Sequence, residues 1–302
     1  MISTGWSTPL AAYLWQVALH SSIAGFILYV WVHRLGMPSG RTRRRLLGVL
    51  LVLPMVTAAV PGRSSVEFGE RIAILNSARI LAVPLPWGFH VHDVVLLIGL
   101  MMVGLTLWQE VFPSLRQPPA SASNVPESLL ALVRAMPGWA HCVVLISPLP
   151  SVMSATGGMP GRPRVIASRG AIDLLTADEL RAVVAHEHAH WLAGRWLRSH
   201  ALFAVRMLQC YNPVALWVFR EYCNEVEIGC DAVAVHGRDP RVLVRVLLKI
   251  YEGTDRRDVA ARAALRKRVD VLLGGGPRDT ALPPFTILTA AVVMLLVLPW
   301  IV

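Results

Sequence analysis

The sequence predicts an α+β chain that combines a multi-span α-helical membrane part with one polar domain. Two observations carry this. Hydrophobic residues make up 55% of the 302 positions and charged residues only 16%, against roughly a quarter charged in soluble domains. The apolar residues are also unevenly spread, in long uncharged runs near both ends, while arginines and acidic residues crowd the middle.

Taken in order, residues 10–32 hold no acidic or basic side chain except His20. At 1.5 Å per helical residue they can cross a hydrocarbon core of roughly 30 Å. No Lys or Arg precedes them and no small-residue cleavage site follows, so this first span is expected to stay in the mature protein. Residues 46–62 and 94–110 are shorter candidates for a second and a third span, and 282–302 for a fourth. The organisation expected is a membrane region over 1–112, a polar domain over 113–281 and a last span over 282–302.

Orientation follows from Arg34, Arg41, Arg43, Arg44 and Arg45, which cluster between the first two spans and should hold that loop in the cytoplasm. The N-terminus then lies outside. Three crossings place the polar domain in the cytoplasm, anchored to the cell membrane by a multi-pass region. Of the net charge of +10, +6 falls in the polar domain, which suits a domain lying against anionic lipid. Direct nucleic-acid binding is not expected, because the basic residues are scattered and no nucleic-acid module is visible. Cys142, Cys210, Cys223 and Cys230 show no CxxC spacing and read as small buried hydrophobes in a reducing compartment.

The chemistry concentrates in one segment. Thr176, followed three residues later by Glu179, forms a capping box, and the chain then runs without Gly or Pro to Gly194. On that helix His186 and His190 are four apart, so both imidazoles project from one face and can reach a single metal ion. Glu187 adjoins the first of them. In this His-Glu-x-x-His pattern the metal activates a water and the carboxylate takes its proton, which predicts a zinc peptidase with one Zn2+ and Glu187 as catalytic base.

A third protein ligand is needed. Asn212 and Pro213 mark a helix start, and the pattern stays helical to His236 and Gly237. Glu227 and Asp231 share a face of this second helix, so Glu227 can ligate the metal while Asp231 accepts a hydrogen bond from a ligand imidazole. Glu225 points about 200° away and is expected to be a solvated surface charge.

His186-Glu-His-Ala-His190, Tyr211-Asn-Pro213 and Glu227-Ile-Gly-Cys-Asp231, set between a third and a fourth span, resemble the BlaR/MecR-type antibiotic-sensor membrane metallopeptidases. The resemblance implies a cytoplasmic gluzincin-type zinc metallopeptidase domain, the metal set His186, His190 and Glu227, Asp231 behind it, and an N-terminus outside. It further implies a regulatory protease in signal transduction of an antibiotic response, which cleaves a cytoplasmic protein such as a DNA-binding transcriptional repressor. HtpX-like membrane quality-control peptidases share both helices and supply the alternative. The sensors carry an extracellular penicillin-binding domain after the fourth span, whereas this sequence ends at Val302; beta-lactam sensing by this polypeptide is therefore not expected.

Between the third span and the metal helix, Cys142 to Ile146 and Arg164 to Ala167 read as strands. Ser151 to Gly157 reads either as an edge strand to which a peptide substrate could add or as a surface loop. His188 is expected to pack rather than ligate. His20, with Ser21 and Ser22, is a functional candidate at membrane depth, or else an interhelical hydrogen-bonding group. His236, Arg238 and Tyr222 are candidates to stabilise an oxyanion, and Trp191, Trp196 and Trp217 to mark the membrane interface.

Overall fold

The computed structural model describes residues 7–33, 40–59, 80–108, 112, 120–122, 124–150, 154–159, 162–193 and 195–274. The fourth predicted span, 282–302, and Arg34 lie outside them. The chain divides into two compact units: Met1–Arg116 with Leu202–Cys223 and Asp279–Val302, and Gln117–Ala201 with Asn224–Arg278. It is mostly helical, with one small sheet among the described residues.

In the first unit, α1 (Ser7–His33), α2 (Arg41–Ala59) and α3 (Val91–Thr106) pack together, α1 against both of the others. The stretch Pro9–Val30 of α1 is long and apolar enough to cross a membrane, the only such helix among the described residues. Helix α2 begins on Arg41, Arg43, Arg44 and Arg45, which shortens its apolar part. Helix α3 has 16 residues, about 24 Å at the helical rise and short of a hydrocarbon core. The first of the three expected spans thus meets the length requirement unaided.

Polar side chains tie this unit together, as packing in apolar surroundings requires them to be satisfied. The His20 Nδ1 lies 2.7 Å from Thr57 Oγ1, linking α1 to α2; of its two readings, the interhelical hydrogen bond is the one observed. The Arg43 guanidinium donates to Glu221 at 2.8 Å, and Gln209 Nε2 donates to the Leu51 carbonyl at 2.7 Å. Asn212 has two tasks. Its Nδ2 donates to Ser21 Oγ at 2.9 Å, while its Oδ1 accepts from Val214 N and Ala215 N and so caps α8 (Pro213–Ala234). Helix α7 (Arg195–Leu208) is joined to α8 by Arg206, whose guanidinium lies over the rings of Phe203 and Phe219.

The second unit is built on β1 (Val143–Ser147), β2 (Ser154–Met159) and β3 (Arg162–Ser168), ordered β1-β3-β2. Strand β3 pairs parallel with β1 and antiparallel with β2, Val144 standing opposite Val165 and Thr156 also opposite Val165. Strand β2 is therefore an edge. Around the sheet lie α4 (Glu127–Arg134), α5 (Arg169–Leu174), α6 (Ala177–Leu192), α9 (Pro240–Gly253) and α10 (Val259–Leu273), with α6 packed against β2 and α9. Trp139, Val144, Val165, Val183, Leu243 and Leu247 are among the residues of the shared core. Thr176 Oγ1 accepts from Glu179 N and Glu179 Oε2 accepts from Thr176 N, so α6 starts on the expected capping box.

Candidate metal centre

Helix α6 carries Ala and Val on the faces that enter the core, and this fixes its rotation. His186 and His190, one turn apart, then aim at the same point: their Nε2 atoms are 2.8 Å from each other. The second half of α8 brings Glu227 to that point, Oε2 lying 3.2 Å from His186 Nε2 and Oε1 3.4 Å from His190 Nε2. The three side chains offer one ligand atom each within 4.8 Å of one another. Two imidazole nitrogens and a carboxylate oxygen are the donor set that zinc takes in peptidases, so the residues present fit such an ion. Glu187 follows His186 on α6 and is buried.

Behind the cluster stands a charged layer. Asp231, one turn beyond Glu227 on α8, places Oδ1 2.9 Å from His186 Nδ1, an ion-pair distance at which the ring N–H is not aligned on that oxygen. Arg268 of α10 grips Asp231 with two bonds of 2.7 Å, from Nε to Oδ2 and from an Nη to Oδ1, and approaches Glu227 at 3.4 Å. Burial would raise the Asp231 carboxyl, but Arg268 and His186 outweigh it and hold the pKa down. Burial also works against charge on His186, yet Asp231 and Glu227 raise its pKa to about 10 in the metal-free protein. Once His186 is neutral, as ligation requires, two carboxylates face one guanidinium, a balance that suits a cation. The electrostatics and the donor set agree.

The remaining candidates sort by position. Glu225 is corrected: it is buried rather than solvated, and its Oε1 pairs with Lys267 Nζ at 3.1 Å. The angle around α8 was legible, but α10 covers that face and supplies a cation there. Trp191 packs edge-on against Trp139 and stacks on His188 within the second unit. His188 itself sits beside Trp139 and reaches the Pro137 carbonyl at 2.9 Å, a packing role. Trp217 is half-buried in the first unit and lines an apolar cavity with Phe26 and Tyr29; the side chain of Trp196 lies outside the described residues. Tyr222 is buried in the first unit, while His236 and Arg238 lie exposed in the turn after α8. Sequence reasoning missed Arg268. Its partner Asp231 is 37 residues away, and no local spacing connects them.

Residues 143–246, from β1 into α9, match the model of peptidase family M48. The chain carries an M48 peptidase domain. The M48 domain spans both helices that bring His186, His190 and Glu227 together, which makes this a metallopeptidase domain. Over 112 residues, 36% of this chain, the protein is 27% identical to the regulatory protein BlaR1 of Bacillus licheniformis. The match spans 18% of that relative's length. Both findings support the BlaR/MecR-type resemblance carried by the motifs of the M48 domain.

Proposed function

We propose that the protein is a membrane-embedded, zinc-dependent endopeptidase in which His186, His190 and Glu227 hold one zinc ion and Glu187 is the catalytic base. The observation that supports this best is the convergence of the two Nε2 atoms and the Glu227 carboxylate on one point, with Asp231 at His186 Nδ1. A zinc ion held there would supply Lewis acidity, lowering the pKa of a water and polarising the scissile carbonyl. The Glu187 carboxylate takes the proton of the attacking water and passes it to the leaving amide nitrogen. Asp231 orients the His186 ring through Nδ1, and Arg268 holds Asp231 in place. The outer side of β2, the edge of the sheet and packed on α6, offers backbone groups to which an extended substrate segment adds as a further strand.

The substrate proposed is a cytoplasmic protein, with a transcriptional repressor as the favoured example, because the similarity to a regulatory protein accompanies an arginine cluster that holds the first loop inside. The test compares new protein N-termini in cells making the wild-type or the Glu187→Gln enzyme. One base-dependent cleavage in a cytoplasmic protein is the expected result. Many cleavages among membrane proteins would replace regulation by HtpX-like quality control, and none at all would remove the peptidase reading.

A further inference from the structure

A second group of metal-ligating side chains lies in the first unit, at the start of α3. The chain approaches it through a small hairpin: Leu85 N donates to the Phe89 carbonyl at 2.7 Å, Val91 N donates to the Val83 carbonyl at 3.2 Å, and Pro84 bridges His90. Trp87 and Gly88, both with positive φ, form its tip, and buried Leu81 anchors its base. The hairpin fixes what His92 meets.

The imidazole of His92 is 12% exposed and stands between two oxygens. Its Nδ1 is 3.3 Å from the Leu81 carbonyl and its Nε2 is 3.3 Å from Asp93 Oδ1. A neutral imidazole has a single N–H. If Nδ1–H serves the carbonyl, the Nε2 lone pair faces a carboxylate, and a second proton or a metal ion satisfies both. A ring N–H given to a backbone carbonyl is also the usual way a metal-ligating histidine is held in orientation. His90 supplies a further nitrogen: its ring stacks on His92 at 5.3 Å between centroids, and its Nδ1 is 3.9 Å from Asp93 Oδ2. One ligand atom from each of the three side chains falls within 4.8 Å of the others.

Helix capping explains part of this group and not the rest. Asp93 Oδ2 accepts from His90 N at 2.8 Å and the His90 side chain faces the Asp93 backbone N–H, a capping box that leaves Asp93 Oδ1 for another partner. His92 takes no part in the cap, yet it is the most enclosed of the three side chains.

We propose that His90, His92 and Asp93 form a second divalent-metal site, separate from the one in the M48 domain. Two imidazoles and one carboxylate suit a borderline ion such as zinc, nickel or copper over calcium or magnesium. Three protein ligands leave further positions for water or an outside ligand.

Calorimetric titration of the chelator-stripped, full-length protein in detergent with zinc tests this. The wild type should take two ions, and His190→Ala should keep only the one bound by this group. His92→Gln should abolish that binding event while the other keeps its affinity. Asp93→Asn, which retains a capping oxygen, should weaken it about tenfold or more. Circular dichroism of the variants controls for folding. If the peptidase site takes no zinc, the wild type will bind one ion that His92→Gln removes and His190→Ala does not, and the second site stands. A stoichiometry and affinity that His92→Gln leaves unchanged would overturn the proposal, as would a single wild-type ion that His190→Ala abolishes.

Discussion

At the scale of single residues, two glutamates two positions apart on α8 have opposite fates. Glu227 faces His186 and His190, whereas Glu225 is buried against Lys267. Glu227→Ala should therefore abolish zinc retention with little change in the fold, while Glu225→Ala should keep zinc and lose about 1–3 kcal/mol of stability with the buried pairing to Lys267; metal analysis and denaturant unfolding of both variants check this. Arg268 adds a second expectation. Its removal takes away the two-bond grip on buried Asp231, so Arg268→Ala, like Asp231→Ala, should weaken zinc binding about 10–100-fold. Titration against a competing chelator reads it. A third follows from His186, whose pKa of about 10 in the metal-free protein exceeds the unfolded value of about 6.5. Because the folded value is the raised one, the stabilisation is complete below pH ~6.5 and is lost as pH climbs through about 10. The chelated protein should lose melting temperature across that window relative to the zinc-loaded protein, whose ligand imidazole carries no such proton.

At the scale of elements, the metal geometry depends on where α6 begins and how it is rotated. The capping box of Thr176 and Glu179 fixes the start, and Glu179 is held again by Lys249 of α9 at 2.7 Å. Thr176→Ala should cost about 0.5–2 kcal/mol of stability in the second unit, measured by denaturant unfolding, with zinc stoichiometry unchanged. The capping box, the four-residue spacing of His186 and His190 and the Asn212-Pro213 start of α8 are all local, which is why each was legible in the sequence. The partner of Glu225 and the neighbours of Trp191 were not, because a helical wheel gives the direction of a side chain but not which element waits there.

At the scale of the molecule, Pro9–Val30 meets the requirements of a membrane span by length and composition, whereas α2 and α3 are short. Their crossing decides the side of the chemistry, since failure of one alone would put the M48 domain outside. The arginines at 41, 43, 44 and 45, which open α2, argue that the first loop stays in the cytoplasm. A reporter enzyme active only in the cytoplasm should then be active when fused after Gly170 and inactive when fused after Val302. The reverse at Gly170 would refute both the orientation and a cytoplasmic substrate.

What the sequence determined by itself was the set of candidate ligands: a His-Glu-x-x-His helix and a Glu-x-x-x-Asp helix, because helical periodicity converts spacing into a shared face. What only the tertiary structure decided was what surrounds them. Arg268 reaches Asp231 from a helix 37 residues further on, Lys267 neutralises a glutamate that spacing alone assigns to solvent, and the Leu81 carbonyl turns His92 toward Asp93. The first two are pairings between distant segments, and the third crosses a hairpin. Such pairings follow from how apolar faces pack, and the periodicity of one segment contains no information about the face it will meet.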